Sequence, residues 1–101
     1  MKLKSLITER HFKIKGVSLW LSDFKTNAKN DVLLQFYPTS SADIDVLLGD
    51  KNGYETVRKA LEQKLIKVFG GVYWSGKNDD SNFNYVIKKH DFMEYLRKVI
   101  S

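Results

Sequence analysis

The segment from Asn52 to Gly71 constrains the fold most, because its pattern is typical of one amphipathic helix with both ends marked. Apolar residues recur on one side at the spacing of a helix face. They are Val57, Ala60, Leu61, Leu65 and Val68, with Tyr54 and Phe69 at the margins. Asn52 and Glu55 have the spacing of a capping box, and Gly70–Gly71 can end the helix in a left-handed conformation. We therefore predict a helix over 53–69 that supplies half of the core.

The segment His11–Ser22 alternates between apolar and polar residues, but the phase of the alternation changes at Gly16. The apolar positions are Phe12 and Ile14 before the change and Val17, Leu19 and Leu21 after it. A β-bulge at Gly16–Val17 would keep all five on one face, with Lys13, Lys15, Ser18 and Trp20 facing outward. The alternative is a turn at Gly16 between two short strands.

Four further strands are indicated by alternation and by turn residues. They cover 31–37, 42–48, 72–75 and 83–88, and the last two form a hairpin around Gly76–Asn82. Lys25–Asn30 is predicted to be a polar loop. In 42–48 the pattern places Ile44, Val46 and Leu48 inward, and Asp43, Asp45 and Leu47 outward.

Two more helices are predicted at the ends of the chain. Asp91 and Glu94 have capping-box spacing before a helical apolar pattern, which predicts a closing helix. Residues 2–10 are assigned a short opening helix because Leu3, Leu6 and Ile7 share a face. The expected order is (α)βββαββα in a single α+β domain, 1–101, with a two-layer architecture in which an antiparallel sheet of about five strands packs on helices.

The predicted element order resembles that of the saddle-shaped double-wing domains of some phage transcription factors and that of type III secretion chaperones. No residue motif carries either likeness, so it concerns the fold alone. The chaperones are acidic, whereas this chain has a formal net charge of +5.

The charge and composition favour a soluble binding protein. The excess of Lys and Arg favours nucleic acid or an acidic protein as the partner, although a basic surface also serves solubility alone. The absence of cysteine excludes disulfides and thiolate chemistry and is compatible with a cytoplasmic location. No apolar run approaches the length of about 20 residues needed to span a bilayer, so no membrane insertion is expected.

Catalytic and metal-binding motifs are absent from the sequence. His11 and His90 are each alone in their segments, without the spacing of paired metal ligands. The Glu62-x-Lys64 pair resembles a nuclease motif, but it lies within a predicted helix rather than on a strand. We therefore predict a non-enzymatic protein that needs no cofactor and no metal.

The outward face of the predicted sheet is the candidate binding surface, because aromatic and aliphatic side chains alternate there with lysines. Rings that stack on bases, together with cations that contact phosphates, are typical of single-stranded nucleic-acid binding. The predicted nucleic-acid contacts are Lys13, Lys15, Trp20, Tyr73, Lys88 and Lys89.

Two alternatives remain open for the same face. A protein partner would use its apolar members, namely Trp20, Leu33, Tyr37 and Leu47. Such a protein would be an interaction module, for example a compact phage or mobile-element inhibitor or a homodimeric adaptor. In the other alternative, a terminal helix covers the face and makes it part of the core.

Overall fold

The structure, a computed structural model, describes residues 10–49, 53–77 and 81–100. Its five strands form one sheet in the order β1-β2-β3-β5-β4, and every neighbouring pair is antiparallel. The strands are β1 (His11–Ile14), β2 (Val17–Thr26), β3 (Val32–Pro38), β4 (Tyr73–Gly76) and β5 (Phe83–Ile87). The two predicted hairpin strands, β4 and β5, are thus confirmed as antiparallel neighbours.

Three helices accompany the sheet within the described ranges: α1 (Ser41–Gly49), α2 (Gly53–Phe69) and α3 (Lys89–Ile100). The predicted α+β class, with an antiparallel five-stranded sheet packed on helices, is confirmed. The order of three strands, a helix, two strands and a closing helix is also confirmed, but the strands differ: the first predicted strand is two strands, β1 and β2, and the third, 42–48, is helix α1. Within these ranges, no helix has both the length and the apolar character needed to cross a bilayer.

The core lies between one face of the sheet and the helices. The strands contribute to it the alternate residues Phe12, Ile14, Val17, Leu19, Leu21, Val32, Leu34, Phe36, Phe83, Tyr85 and Ile87. Helix α2 contributes Val57, Leu61 and Leu65 as predicted, and also Phe69, which the sequence placed at the margin of the stripe. The helix ends at Phe69, and the following Gly70 has a φ of +86°, the left-handed conformation expected of a glycine stop.

The phase change at Gly16 is a two-residue hairpin, so the predicted bulge is wrong and the alternative turn is correct. Lys15 and Gly16 have φ values of 52° and 82°, which is the pattern of a type I′ turn. Ile14 pairs with Val17 across this turn, so the two side chains share a face although they are three positions apart. The prediction that all five apolar residues face inward is confirmed.

Strand β2 is longer than predicted, because it continues through Lys25 to Thr26. The predicted polar loop Lys25–Asn30 therefore starts two residues too early. Lys25 pairs with Leu33 and Thr26 with Val32, after a break in register between Leu21 and Asp23.

The predicted strand 42–48 is wrong, because this segment forms helix α1. Ser40 caps the helix: its Oγ accepts the Asp43 N–H at 3.2 Å and donates to Asp43 Oδ2 at 2.8 Å. Burial is the reverse of the prediction, since Leu47 is 2% exposed whereas Val46 and Leu48 are 50% and 54% exposed. The cap was present in the sequence, but the apolar–polar alternation favoured a strand.

The closing helix is confirmed, but it begins at Lys89 rather than at the predicted capping residue, Asp91. Its cap comes from elsewhere in the chain, because Asp31 Oδ1 accepts the Lys89 N–H at 3.0 Å. Asp91 instead lies in the first turn. The predicted Asn52 cap and residues 2–9 of the predicted helix 2–10 lie outside the described residues.

Candidate nucleic-acid interface

One face of the sheet is turned away from the helices, and we call it the outer face. Its residues alternate along the strands with the buried ones, because successive side chains of a strand point to opposite sides. They are His11, Lys13, Ser18, Trp20, Lys25, Leu33, Gln35, Tyr37, Tyr73, Asn84 and Val86. The buried residues of the three helices belong to the core on the opposite side. Among the described helices, none therefore contributes a buried side chain to the outer face.

Three rings lie in one cross-strand line at one end of the outer face, and we call them the aromatic row. Trp20 pairs with His11 on β1 and with Tyr37 on β3. The rings of His11 and Trp20 are stacked, with centroids 6.4 Å apart and an angle of 24° between their planes. Trp20 is 40% exposed, which is high for a residue in the middle of a sheet row. The row thus presents a large ring to solvent.

Two cationic side chains, Arg10 and Lys13, lie beside the aromatic row. The Arg10 guanidinium carbon lies 5.9 Å from the centre of the Trp20 ring, within the range of a cation–π contact. An Arg10 Nη2 hydrogen bond to the Leu21 carbonyl, at 2.6 Å, fixes the guanidinium in that place. Lys13 lies one outward position along β1 from His11 and is exposed. Ring and positive charge are therefore combined at this end of the sheet.

The opposite end of the outer face carries a second ring with a cation, which we call the Tyr73 corner. Tyr73 is 56% exposed, and Lys88 Nζ lies 5.4 Å from the centre of its ring. Leu33 and Val86 extend from Tyr73 in one cross-strand line toward Lys25. Beside the corner is an open cleft of about 560 Å³, lined by Asn27, Ala28, Lys29, Asp31, Tyr73, Trp74, Ser75, Val86 and Lys88. The size of this cleft is in the range of ligand-binding clefts.

Two amide side chains separate the aromatic row from the Tyr73 corner. Gln35 on β3 pairs with Asn84 on β5, and both are half-buried on the outer face. Gln35 lies two residues from Tyr37 and two from Leu33, so each end of the face is about 7 Å away along the strand. Trp20 and Tyr73 lie at diagonal corners, roughly 20 Å apart by strand spacing and rise. The outer face therefore consists of two ring sites with a polar strip between them.

The charge around the outer face is predominantly positive. The described cations at its rim are Arg10, Lys13, Lys25, Lys29 and Lys88. The Asp31 carboxylate also lines the cleft at the Tyr73 corner, and its Oδ2 is 3.8 Å from Lys88 Nζ. The pKa of Asp31 is lowered, chiefly by the hydrogen bond from the Lys89 N–H. Asp31 stays ionised at neutral pH, but its charge already serves the cap of α3.

The predicted nucleic-acid contacts fall into two groups. Lys13, Trp20, Tyr73 and Lys88 lie on the outer face or at its rim. Lys15 lies in the β1–β2 turn and lines a cavity with residues of α2, including Thr56 and Ala60. Lys89 begins α3 and lines a separate groove with Phe92, Met93 and Leu96. Lys15 and Lys89 are thus not brought together with the other four.

The predicted protein-interface residues also divide. Trp20, Leu33 and Tyr37 share the outer face, with Trp20 and Tyr37 directly paired. Leu47 is wrong as an interface residue, because it is 2% exposed and packs in the core from α1. Leu47 was placed outward because 42–48 was predicted to be a strand. The segment is a helix, and a helix buries a different set of residues than an alternating strand does.

Three residues of the candidate site were not singled out from the sequence. The alternation in the predicted strand 31–37 puts Gln35 on the same side as Leu33 and Tyr37, but a single polar residue there carries no distinctive pattern. Lys29 belongs to the predicted polar loop, and no periodicity indicates that the loop lines the cleft at Tyr73. Arg10 immediately precedes β1, and its contact with Trp20 depends on the path of the backbone into the strand.

No cluster of three or more His, Cys, Asp or Glu side chains suited to a metal ion occurs in the part of the chain that the structure describes. Comparison of the chain with protein-family models, with curated proteins and with solved structures gave no match. Any function proposed for this chain therefore rests on the chemistry of its outer face.

Proposed function

We propose that this protein binds single-stranded nucleic acid across its outer face and acts as a binding protein rather than an enzyme. The observation that carries the proposal is the aromatic row, in which the exposed Trp20 ring contacts both the His11 ring and the Arg10 guanidinium. The Tyr73 corner, with Lys88 over its ring, repeats the same combination at the other end of the face. We place the protein in the cytoplasm, where it would have access to single-stranded nucleic acid.

Binding would combine the stacking of bases on the exposed rings with contacts between cations and phosphates. Stacking of a base on an aromatic side chain contributes about 1–3 kcal/mol per base, and it tolerates any sequence because every base has a π-face. Sheet-based RNA-binding domains stack two or three bases on exposed rings in this way. Arg10, Lys13 and Lys88 supply cations beside the rings, so the backbone of the strand can be held where its bases stack.

A single strand fits this face better than a duplex does. The rings project from a sheet, and a ring can stack on a base only where that base is not already stacked between its neighbours. The distance of roughly 20 Å between Trp20 and Tyr73 by strand geometry calls for a strand of several nucleotides. Small β-sheet domains of the OB fold cover about 4–16 nucleotides of single strand.

The test is fluorescence anisotropy with labelled single-stranded and double-stranded oligonucleotides over a range of salt concentrations. We expect single strands to bind more tightly, and log affinity to fall with log salt with a slope of about −0.7 for each phosphate contacted. Trp20→Ala should weaken binding at every salt concentration. Lys13→Ala should weaken binding and also make the salt slope shallower, because one phosphate contact is lost.

Lys15→Ala is the matched control, since it removes the same charge from a lysine two positions away that lies over α2 instead. It should weaken binding less than Lys13→Ala does. Equal effects of the two lysine variants, with none from Trp20→Ala, would mean nonspecific attraction to a basic protein. Absence of binding even at low salt would overturn the proposal.

A protein partner is the second candidate, favoured by the apolar pair of Leu33 and Val86, which lies in line with Tyr73 on the outer face. The partner would be an acidic protein or a second copy of this chain. In this case Leu33→Ala and Trp20→Ala should weaken association more than Lys13→Ala does, with little salt dependence. Sedimentation of the wild-type protein as a monomer at all accessible concentrations would exclude the second copy.

A further inference from the structure

We infer that a notch between Lys13 and Ser18 holds the phosphate of the nucleotide whose base stacks on Trp20. The inference rests on the proposed function and adds to it a phosphate subsite and an orientation of the bound strand. Lys13 pairs with Ser18 in the cross-strand row next to that of His11 and Trp20. One outward position along a strand, about 7 Å, separates the two rows. The base and the phosphate of a nucleotide are separated by its sugar, so the two rows can hold both ends of one nucleotide.

The notch is a cavity of about 340 Å³ at this end of the outer face. The residues that line it are His11, Phe12, Lys13, Ser18 and Thr39. Phe12 is buried in the core, so the polar side chains form the surface that a ligand would meet. None of these five side chains is acidic, and the notch therefore presents no negative charge of its own.

The Ser18 hydroxyl is available for a phosphate oxygen. Ser18 is half-buried, and no group of the described residues is hydrogen-bonded to its Oγ. Its backbone is held in place, because the Ser18 N–H donates to Asp43 Oδ1 at 3.2 Å and the Ser18 carbonyl accepts the Thr39 N–H at 3.1 Å. A hydroxyl on a fixed backbone loses little entropy when it makes one further hydrogen bond.

Lys13 supplies a positive charge that the fold does not already use. It is exposed and makes no ion pair with a carboxylate of the described residues. The acidic residue beside the notch is Asp43, whose Oδ2 accepts the hydroxyls of Thr39 and Ser40 at 3.2 and 2.8 Å. The pKa of Asp43 is lowered chiefly by the Ser40 hydrogen bond, and Lys13 contributes least of the groups that lower it. Lys13 is therefore not committed to Asp43.

The two groups together match a phosphodiester. Lysine and serine side chains are among those that contact the phosphate oxygens of nucleic acids. A phosphodiester is negatively charged and offers only acceptors, which suits an ammonium group and a hydroxyl side by side. With the phosphate in the notch, the strand is oriented with its backbone toward the β1–β2 turn and its base on the aromatic row.

The experiment compares two variants that differ by one hydroxyl. Ser18→Thr keeps the hydroxyl, Ser18→Val replaces it by a methyl group, and both residues are favourable in strands. Each variant and the wild-type protein are titrated by fluorescence anisotropy with two labelled oligothymidylates of equal length. One has phosphodiester linkages and the other has uncharged methylphosphonate linkages.

We expect the wild-type protein and Ser18→Thr to prefer the phosphodiester strand by the same factor. In Ser18→Val this preference should be smaller by about fivefold or more, because a hydrogen bond to a charged group is lost. The slope of log affinity against log salt should not change in Ser18→Val, since no charge is removed. A loss of this kind separates the notch from general attraction to a basic protein.

Thr56→Val is the matched control, because it exchanges a hydroxyl for a methyl group at an exposed position of α2, away from the outer face. It should keep the wild-type preference. An equal preference in Ser18→Val and Ser18→Thr would overturn the inference and leave the proposed function standing. So would equal affinity of the wild-type protein for the two strands, a comparison that needs no variant to fold. If the wild-type protein bound neither strand, both the inference and the proposed function would fall.

Discussion

Asp31 and Lys89, 58 positions apart in the chain, are joined by a hydrogen bond from the Lys89 backbone N–H to Asp31 Oδ1 at 3.0 Å. Asp31 is 7% exposed and directly precedes β3, where its own N–H donates to Asn27 Oδ1 at 2.9 Å. The carboxylate thus satisfies one of the unpaired N–H groups at the start of α3 and complements the positive end of the helix dipole. One side chain fixes the closing helix against the central strand of the sheet.

The stability of the protein should therefore decrease in acid, and Asp31 should account for part of the decrease. In the folded protein the pKa of Asp31 is lowered from 3.8, and the largest cause is the hydrogen bond from the Lys89 N–H. The Asp31 carboxylate therefore binds a proton more tightly in the unfolded chain than in the folded protein. The stabilisation by Asp31 is complete at pH values above its pKa in the unfolded chain. It is lost as the pH falls through the lower pKa that Asp31 has in the folded protein. We expect the Tm to fall as the pH drops below about 5. Asp31→Asn keeps an acceptor without the charge and should show a smaller fall, whereas parallel curves for the two proteins would contradict this role.

The helix α2 could be predicted from the sequence because its apolar stripe and its glycine stop agree, and Gly70 does adopt the left-handed conformation. The segment 42–48 could not be decided in this way. Its alternation of Ile44, Val46 and Leu48 favours a strand, while Ser40 is an N-cap whose Oγ accepts the Asp43 N–H and so favours a helix. Packing against the rest of the fold favours the helix over the strand, because it buries Leu47 and leaves Val46 and Leu48 exposed.

Adjacent leucines of α1 provide a direct test of this helix. Leu47 is 2% exposed and Leu48 is 54% exposed, whereas a strand with the predicted orientation would bury Leu48 instead. Leu47→Ala should lower the free energy of unfolding by about 2–5 kcal/mol, as for other buried leucines. Leu48→Ala is the control and should change it by less than about 0.5 kcal/mol. Urea denaturation of both variants measures the difference, and a larger loss for Leu48→Ala would restore the strand.

The β1–β2 turn can be improved because a lysine occupies a left-handed position in it. Lys15 has a φ of 52° and Gly16 a φ of 82°, and the most favourable sequence for such a type I′ turn is Asn-Gly. Lys15→Asn should raise the free energy of unfolding by about 0.5–1 kcal/mol. Gly16→Ala should lower it by more than about 1 kcal/mol, because a Cβ at this φ is strained.

Lys13→Asn is the control for the turn, since it makes the same substitution in the neighbouring strand. Asparagine is unfavourable in strands, so this variant should not gain stability. A gain for Lys13→Asn equal to that for Lys15→Asn would show that loss of charge, and not the turn, is responsible. All three variants are compared by chemical denaturation at one pH and salt concentration.

The candidate site was only partly predictable, because strand alternation tells which face a residue occupies but not where it lies on that face. Trp20 and Tyr73 were both placed outward, yet strand order and register put them at diagonal corners. Lys15 was grouped with Lys13 by the same alternation. The turn at Gly16 interrupts that alternation and carries Lys15 toward α2.

The two tryptophans should report their different surroundings in fluorescence. Trp20 is 40% exposed on the outer face, whereas Trp74 is half-buried against Tyr85, with ring centroids 5.3 Å apart, and lies beneath Arg58. Trp74→Phe leaves Trp20 as the sole tryptophan, and its emission should lie at longer wavelength and be quenched readily by acrylamide. Trp20→Phe should give the opposite behaviour.

Addition of single-stranded oligonucleotide to the two variants then shows which of the two tryptophans lies at the bound strand. Stacking of a base on Trp20 should quench the emission of the Trp74→Phe variant and protect it from acrylamide. The Trp20→Phe variant should change less, because Trp74 packs mainly against core rings and reaches only the cleft beside Tyr73. Equal acrylamide quenching of the two variants in the absence of oligonucleotide would contradict the orientation of β2. If the emission of the two variants instead changed equally on addition of oligonucleotide, the bound strand would lie away from the aromatic row.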